Sequence, residues 1–279
     1  MDEKKRFCVI GDPVAHSKSP RLHTAMLAAL GENAEYLCKP VTAGELPAFL
    51  QAAREGEWQG FNATMPHKEA LVPYMDVLDE TARRCGAVNT VCIRAGKLYG
   101  YNTDGGGFCR ALAQMGVTPA GKRIVLLGAG GAAKSVALAL CDGGAAHITV
   151  CNRTPERAQA LASCNDIMST ETMGLEALKK AVSRCDLLVN CTSLGMVGGG
   201  GQFESLDFLE ALPEGVPVCD LIYHPPETAL LSAAGALGHP TMNGLPLLLN
   251  QAILALEHFL DRELDGEKLL PLLYAELEK

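Results

Sequence analysis

The sequence predicts an α/β protein with two domains. Apolar, strand-like runs alternate with helix-like segments along most of its 279 residues, and this order is typical of a mainly parallel sheet covered by helices. A polar, glycine-rich segment at residues 98–107 interrupts the alternation before a second series of strands and helices begins. We therefore expect one domain over residues 1–104, a second from residue 105, and a cleft between them.

Composition limits the classes of function. With 48% apolar residues the chain can form sizeable cores, and its formal net charge of −8 argues against a nucleic-acid partner. The 11 cysteines are scattered and lack a Cys-x-x-Cys pair, which predicts buried thiols in a reducing compartment rather than a metal site or disulfides. The sequence contains no signal-like or membrane-spanning apolar run, so we expect a cytoplasmic protein without a membrane partner.

A glycine-rich turn lies between a predicted buried strand at 124–127 and a predicted helix. Gly128 permits a tight turn, Gly130 lets a pyrophosphate approach the backbone, and Ala133 lets the helix pack close to the strand. The helix start also offers free N–H groups to phosphates. This pattern predicts a Rossmann-type dinucleotide-binding domain, and the alternative is a tight turn without a ligand. The expected cofactor-binding residues are Gly128, Ala129, Gly130, Gly131 and Ala132.

The end of the next predicted strand, residues 146–151, distinguishes NADP from NAD. NAD-binding folds usually carry Asp or Glu there for the ribose 2′-hydroxyl. This chain instead has Asn152, Arg153 and Thr154, with Arg157 one turn into the following helix. Two guanidinium groups and a hydroxyl suit a 2′-phosphate, so the expected cofactor is NADP. The alternative is a solvated helix start, where arginines are ordinary.

Two serines in the first half could bind a ligand. Ser17 and Ser19 lie between a predicted strand at 6–10 and a helix ending near residue 30. Either one of them caps that helix or the two hydroxyls bind a carboxylate. The residues alone leave both alternatives open.

Other polar residues lie near the ends of predicted strands. Asn62, Thr64 and Lys68 come at the end of the strand at 58–64, where ligands of parallel sheets bind. Lys68 can donate to a substrate oxygen, and burial can shift the pKa of a lysine; the alternative is an exposed lysine at a helix start. Asn89 interrupts the apolar strand at 87–93 and is either a satisfied core amide or a ligand contact.

The remaining predicted elements continue the α/β order. Thr192 follows one of the strands and is expected to flank the dinucleotide, whereas the glycines at 198–201 indicate a flexible surface loop, with a lid as the alternative. Further strands are expected at 34–41, 186–190 and 216–222, and helices at 43–55, 76–86, 155–163, 170–182, 228–237, 245–260 and 267–279.

Several motifs together resemble those of the shikimate dehydrogenase family. They occur in family order over almost the whole chain, with the Gly128 and Asn152 segments between them. The resemblance implies NADPH-dependent, reversible reduction of 3-dehydroshikimate to shikimate, in aromatic amino acid (chorismate) biosynthesis. The motifs are Ser17-Lys-Ser19-Pro20-x-x-His23, Asn62-Ala-Thr64-Met-Pro66-His-Lys68, Gly86-Ala-Val-Asn89-Thr, Asn102-Thr-Asp104-Gly, Asp220-Leu-Ile-Tyr223-x-Pro225 and Gly244-Leu-x-x-x-x-x-Gln251.

The resemblance also implies individual roles on the substrate side. Ser17 and Ser19 are expected to bind the substrate carboxylate, with help from Tyr223. Lys68 matches the catalytic lysine of the family, which protonates the forming alkoxide, and Asp104 matches its partner. The residues expected to bind ring hydroxyls are Thr64, Asn89, Asp104 and Gln251.

The resemblance further assigns roles to the two domains. It implies that residues 1–104 bind substrate and are completed by the C-terminal helices at 245–279, whereas residues 105–244 bind NADP. Glu80 and Gly244 are expected to contact the nicotinamide end of the cofactor. The alternatives are a quinate or dual quinate/shikimate dehydrogenase using NAD(P) and, from another class, a non-catalytic NADP-binding sensor. The oligomeric state stays open, and a homodimer is compatible with the sequence.

Overall fold

Alternating strands and helices occupy the part of the chain that this computed structural model describes, residues 4–278. They form two units, one comprising Met1–Thr103 and Leu249–Lys279 and the other Asp104–Leu248. Residues 1–3 and 279 lie outside the described residues. They fall at the ends of the range expected for the first domain, and residue 279 is also the last residue of the predicted helix 267–279. No helix in the described range is both long and apolar enough to cross a membrane.

The first unit contains a six-stranded mixed sheet in the order β2-β1-β3-β5-β6-β4. Its strands are β1 Lys5–Gly11, β2 Ala34–Pro40, β3 Gly60–Ala63, β4 Val77–Leu78, β5 Thr90–Arg94 and β6 Lys97–Tyr101. Strand β1 is parallel to β2 and β3, whereas β5 is antiparallel to both β3 and β6. The ends of β1, β3 and β6 and the start of β5 therefore meet at one edge of the sheet.

Four α-helices alternate with the strands within residues 4–103. One face of the sheet packs on a buried cluster that contains Phe49, Trp58 and Phe61, with the rings of Phe49 and Phe61 edge to face at 5.0 Å. Burying these large apolar groups stabilises the sheet that carries the polar edge. The helices are α1 Ser19–Ala29, α2 Leu46–Arg54, α3 His67–Ala70 and α4 Glu80–Cys85.

The second unit contains a six-stranded sheet in which every pair of neighbours is parallel. Its order, β12-β11-β10-β7-β8-β9, is that of a doubly wound sheet, where ligands bind at the carboxyl ends of the strands near the reversal between β7 and β10. The predicted α/β fold with a Rossmann-type domain is thus confirmed. The strands are β7 Arg123–Leu127, β8 His147–Cys151, β9 Met168–Glu171, β10 Leu187–Asn190, β11 Val218–Asp220 and β12 Thr241–Met242.

Helices cover both faces of this second sheet. Ala133 is fully buried, so the helix that follows the glycine-rich turn lies close to the sheet, as the small residue there predicts. The helices of the unit are α5 Asp104–Gln114, α6 Gly131–Asp142, α7 Pro155–Ala162, α8 Leu175–Val182 and α9 Ala229–Ala236. Two further helices follow, α10 Leu245–Leu260 and α11 Gly266–Glu278, of which the residues from Leu249 onwards belong to the first unit.

The segment at 98–107, which the sequence predicts as the domain boundary, contains regular secondary structure. It forms the end of β6 and, from Asp104, the first turn of α5, so that three consecutive glycines are helical. A Cβ at Gly105 would clash with Ser135 O of α6. The glycine therefore permits the close packing of α5 on α6, a contact that the local sequence does not reveal.

Two predicted helices begin later than expected. In the segment 170–182, β9 continues to Glu171 and α8 starts only at Leu175, because Gly174 precedes it as an extended N-cap. In the segment 76–86, residues Val77–Leu78 form β4. Helix α4 then starts at Glu80, since the Asp79 carboxylate accepts a hydrogen bond from Ala82 N at 2.8 Å and caps the helix.

Candidate active site

Polar residues from several strands meet at one edge of the first sheet. Thr64 directly follows β3, and Lys68 lies one turn further in α3. Asn89 directly precedes β5, and its backbone joins both neighbours: Ala63 N donates to Asn89 O at 2.9 Å, and Asn89 N donates to Tyr101 O at 3.0 Å. The strand order thus brings together residues that are up to 25 positions apart in the chain.

Lys68 is half-buried and lies on a short helix that the protein fixes in place. The preceding residue, His67, is fully buried and donates from Nε2 to Val41 O at 2.7 Å. Val88 N donates to Lys68 O at 2.8 Å, which joins the helix to the segment before Asn89. Both bonds limit where the lysine side chain can reach, as a proton donor at a reacting atom requires.

The side chain of Asn89 is buried and takes part in a local hydrogen-bond network. Its Oδ1 accepts from Thr90 Oγ1 at 2.9 Å and from Thr103 N at 2.9 Å, while its Nδ2 donates to Thr103 Oγ1 at 3.1 Å. Thr103 follows β6, so this network joins the start of β5 to the end of β6. The orientation of the Asn89 amide is therefore determined by the protein, with Oδ1 towards the backbone N–H.

Asn62 has its hydrogen-bonding capacity largely used inside the protein. Its Oδ1 accepts from the Tyr36 hydroxyl at 2.7 Å, and its Nδ2 donates to Asn89 O at 3.2 Å and Thr90 Oγ1 at 3.0 Å. The side chain is only 6% exposed. We infer that Asn62 supports its neighbours rather than offering a free group to a ligand.

Ser17 lies between β1 and α1, Ser19 is the first residue of α1, and both are half-buried. The N-cap residue of α1 is Lys18, whose side chain makes no capping hydrogen bond, and Pro20 lies in the first turn. Ser17 Oγ accepts from Ser19 N at 3.2 Å, which leaves its hydroxyl proton available to donate. Lys18 occupies the N-cap position, but Ser17 satisfies the first N–H group of the helix, as the capping alternative expects, and the carboxylate-binding alternative remains a prediction.

The other predicted substrate residues lie elsewhere along the chain. Asp104 follows Thr103 and is the first residue of α5 in the second unit. Gln251 is half-buried in the part of α10 that belongs to the first unit. Tyr223, which is 37% exposed, follows β11 in the second unit.

A cavity of about 770 Å³ lies at the carboxyl edge of the second sheet. It adjoins the turn after β7, the end of β8 and the segment after β10, which is where a doubly wound sheet binds its ligand. Gly131, Ala132, Glu80 and Gly244 do not line it. The predicted cofactor residues that do are Gly128, Ala129, Gly130, Asn152, Arg153, Thr154, Arg157 and Thr192.

The glycine-rich turn fits the phosphates of a dinucleotide. Gly128 has a φ of 102°, and a Cβ there would lie 3.0 Å from Thr192 Cγ2, so both conformation and space require glycine. Gly130 is the N-cap of α6 and lines the cavity, and a Cβ built on it meets no atom within 4 Å. The space above this backbone, next to the free N–H groups of a helix start, can accept an anionic group.

Two arginines at the cavity lack an acidic partner. Arg153 and Arg157 are exposed, and neither forms an ion pair with any carboxylate of residues 4–278. Asn152 Nδ2 donates to Thr154 O at 2.8 Å, which fixes the turn between β8 and α7 that carries Arg153. These guanidinium groups can bind a phosphate, as the sequence predicts for NADP.

Glu80 and Gly244 have structural roles that would account for a glutamate and a glycine at these positions without any contact to a cofactor. Glu80 is exposed at the start of α4, and its Oε1 lies 2.7 Å from Arg83 Nη2. Gly244 N donates to Ile222 O at 2.9 Å, and a Cβ at Gly244 would clash with Leu221 O. The close approach of two backbones thus requires glycine at position 244. Their contact with the cofactor remains a prediction.

Sequence reasoning missed part of the cavity wall. The turn Thr172–Gly174 lies inside the helix predicted at 170–182, although Gly174 favours a helix that begins only after it. The glycines at 198–201 form no helix or strand, as expected of a loop, and Gly200 packs so closely on Ser193 that a Cβ would clash with Ser193 O. The flexibility of this loop remains a prediction. The missed lining residues are Thr172, Met173, Gly174, Leu175, Leu178, Gly200, Gln202, Phe203, Glu204 and Ser205.

The cysteines and potential metal ligands provide no second reactive centre in residues 4–278. These residues contain no cluster of His, Cys, Asp and Glu suited to a metal ion. None of the 11 cysteines, all of which lie within this range, forms a disulfide. Burial raises the pKa of Cys92, Cys151, Cys185 and Cys219 to about 12, so these thiols are unreactive at neutral pH.

Comparison with known proteins identifies similar chains. A family model described as "Shikimate dehydrogenase substrate binding domain" matches residues 9–91, and one described as "Shikimate / quinate 5-dehydrogenase" matches residues 111–196. The chain is 41% identical to the NADP(+) shikimate dehydrogenase of Moorella thermoacetica, covering 91% of this chain and 88% of that one.

Solved structures are similar over nearly the full length. The shikimate 5-dehydrogenase of Thermus thermophilus, in complex with NADP(H) and shikimate, is 35% identical with a TM-score of 0.84, covering 98% of this chain and 99% of that one. The ligand-free 5-ketofructose reductase of Gluconobacter sp. strain CHM43 is also 35% identical, with a TM-score of 0.85 and 99% coverage of both chains.

Proposed function

The chain belongs to the shikimate dehydrogenase family, and we propose in residue detail how it carries out the reaction of that family. It is an NADP-dependent oxidoreductase that acts on a CH–OH group and interconverts 3-dehydroshikimate and shikimate. We place this reaction in aromatic amino acid (chorismate) biosynthesis. The scattered cysteines support a reducing, cytoplasmic location.

One observation carries the proposal for the substrate site. The strand order of the first unit assembles a hydroxyl from Thr64, a cation from Lys68 and an amide from Asn89 at a single sheet edge. A polyhydroxylated ring with a ketone offers matching groups to such a mixed set of donors and acceptors. Ser17 and Ser19 follow β1, which ends at the same edge, and are proposed to bind the carboxylate with Tyr223.

The proton transfer is assigned to Lys68. In the reducing direction, Lys68 Nζ gives a proton to the carbonyl oxygen of 3-dehydroshikimate as that oxygen gains negative charge. In the oxidising direction, neutral Lys68 accepts the hydroxyl proton of shikimate. Asp104 is proposed to orient Lys68 and one ring hydroxyl, and Gln251 to bind another.

The cofactor is NADP, and the second unit is proposed to bind it. The fit rests on the open backbone at Gly130 and on two guanidinium groups, those of Arg153 and Arg157, that have no acidic partner in the described residues. When bound, NADPH supplies the hydride that reduces the carbonyl carbon. Glu80 and Gly244 are proposed to contact its nicotinamide end, and Thr192 to flank it from the segment after β10.

Two substrate alternatives can be tested directly. The description of the second family model includes quinate, so a dual quinate/shikimate enzyme is one alternative. The similar 5-ketofructose reductase supports another, the reduction of a neutral ketosugar. That compound has no carboxylate and would make no use of the paired hydroxyls of Ser17 and Ser19.

The experiment follows NADPH absorbance after purified protein is mixed with 3-dehydroshikimate. A parallel cuvette contains NADH in place of NADPH, and a further one contains 5-ketofructose in place of 3-dehydroshikimate. We expect rapid loss of absorbance with NADPH and 3-dehydroshikimate and much slower loss with NADH. The reverse reaction, with NADP+ and either shikimate or quinate, distinguishes the dual enzyme. Binding of NADPH without turnover of any substrate would instead support a sensor.

A further inference from the structure

A buried series of hydrogen bonds begins at Tyr36 and ends at Asn89 of the proposed substrate site. The Tyr36 hydroxyl donates to Asn62 Oδ1 at 2.7 Å. Asn62 Nδ2 donates in turn to Asn89 O at 3.2 Å and to Thr90 Oγ1 at 3.0 Å. All four residues belong to the first unit.

The chemistry of the acceptors determines the direction of every bond in this series. Asn89 O can only accept, so the Asn62 amide presents Nδ2 to it and Oδ1 to Tyr36. Tyr36 must then donate its single proton to Asn62 Oδ1. One phenolic hydroxyl therefore orients the amide beside the ring-binding Asn89.

The ring of Tyr36 is immobilised by its surroundings. Only 4% of the residue is exposed, and the His23 ring stacks on it with centroids 4.3 Å apart and planes at 4°. Burial raises the pKa of Tyr36 well above its usual value, so the hydroxyl remains a donor at any working pH. Burial also lowers the pKa of His23 to about 3, so the stacked ring is neutral.

We propose that Tyr36 is a positioning residue of the substrate site, whose hydroxyl holds the Asn62 amide against Asn89 and Thr90 and so keeps Asn89 in place for a ring hydroxyl. The inference rests on the proposed function. Tyr36 touches neither the reacting atoms nor the cofactor cavity of the second unit. Its loss should therefore weaken shikimate binding while leaving cofactor binding and the proton transfer at Lys68 almost unchanged.

The first test is Tyr36→Phe, which keeps the stacked ring and removes only the hydroxyl. We expect the KM for shikimate to rise about tenfold, because the Asn62 amide loses the donor that fixes its orientation, and substrate binding must then restore the position of Asn89. The KM for NADP+ should change less than about twofold and kcat less than about threefold. Tyr99→Phe is the matched control, since Tyr99 lies in β6 of the same sheet and should leave all three constants unchanged.

A double-mutant cycle separates positioning from general loosening of the fold. In a Thr90→Val background, Tyr36→Phe should raise the KM for shikimate by clearly less than it does alone, because both hydroxyls act on the Asn62 amide. Equal effects in both backgrounds, or a parallel rise in the KM for NADP+, would overturn the proposal.

A second variant covers the case in which Tyr36→Phe does not fold. Thr90→Val removes a later member of the same series, the hydroxyl that accepts from Asn62 and donates to Asn89 Oδ1 at 2.9 Å. It should raise the KM for shikimate with the KM for NADP+ unchanged, and an unchanged KM for shikimate would overturn the inference. An inactive wild-type enzyme contradicts the proposed function itself, whereas active wild type with neutral variants contradicts only the role of Tyr36.

Discussion

The side-chain amide of Asn190 donates to the carboxylate of Asp220, with 3.0 Å between Asn190 Nδ2 and Asp220 Oδ1. The two residues are paired at the ends of β10 and β11, and neither is more than 1% exposed. Thr192 Oγ1 donates to Asn190 Oδ1 at 2.7 Å. The buried Asp220 carboxylate therefore orients Thr192, which lines the cofactor cavity, through Asn190. The second Asp220 oxygen accepts from Thr228 Oγ1 at 2.8 Å.

Replacing Asp220 by Ala should destabilise the second unit by about 3 kcal/mol, because the buried donors of Asn190 and Thr228 lose their acceptor. Asp220→Asn keeps the shape and one acceptor oxygen, so its cost should be smaller. The free energy of unfolding is measured in urea by circular dichroism, since the single Trp58 reports on the first unit. The exposed Glu214→Ala serves as control, and equal stability of Asp220→Ala and Glu214→Ala would contradict the prediction.

Arg153→Ala should weaken binding of NADP+ but not of NAD+. The loss of a charge-assisted hydrogen bond to a 2′-phosphate corresponds to an increase of about tenfold to a hundredfold in the KM for NADP+. The KM for NAD+, which has no such phosphate, should stay within about threefold. Steady-state kinetics with both cofactors measures the ratio. Arg184→Ala removes an exposed arginine that does not line the cavity and should alter neither constant.

The sequence predicts a structural feature well when the residues that form it are contiguous in the chain, and poorly when they are distant from one another. The Gly128–Ala133 turn was predicted because strand, turn and helix start are contiguous, and each residue type has a local reason. Gly105, in contrast, is helical because α5 approaches Ser135 of α6, and that contact joins residues 30 positions apart. Similarly, the sequence places Asn62 at a strand end but does not reveal that Tyr36 from β2 occupies its amide oxygen.

The two neighbouring glycines of the cofactor turn should respond differently to alanine. Gly130→Ala should leave the thermal midpoint of unfolding unchanged, because its Cβ meets no atom within 4 Å, yet raise the KM for both NADP+ and NAD+ by about tenfold or more. Gly128→Ala should lower the thermal midpoint, because its φ of 102° is strained for alanine. If Gly130→Ala binds both cofactors normally, the phosphates do not lie on this backbone.

Lys68→Ala should lower kcat by about 10²- to 10⁴-fold, the usual contribution of a general acid or base, with a smaller effect on the KM for shikimate. Stopped-flow or steady-state NADPH absorbance measures both constants. Lys97→Ala removes an exposed lysine from β6 of the same unit and should retain wild-type kcat. A near-normal kcat for Lys68→Ala in folded protein would exclude Lys68 from the proton transfer.

Stability of the first unit should depend on pH through His23. Burial lowers the pKa of His23 to about 3 in the folded protein, from an ordinary value of 6.5. Between about pH 3 and pH 6.5 the His23 ring binds a proton in the unfolded chain but not in the folded one. The contribution of neutral His23 to the free energy of unfolding is therefore fully present above pH 6.5 and decreases as the pH falls. From pH 7 to pH 5 the His23 contribution to the free energy of unfolding should decrease by about 2 kcal/mol.

His23→Gln should remove this part of the pH dependence, because glutamine does not titrate. Urea unfolding followed by the fluorescence of buried Trp58 reports on the same unit at each pH. His16→Gln, at an exposed histidine, should retain the wild-type decrease between pH 7 and pH 5. If wild type and His23→Gln lose equal stability over this range, His23 is protonated in the folded state, and its ring cannot be the neutral partner of Tyr36.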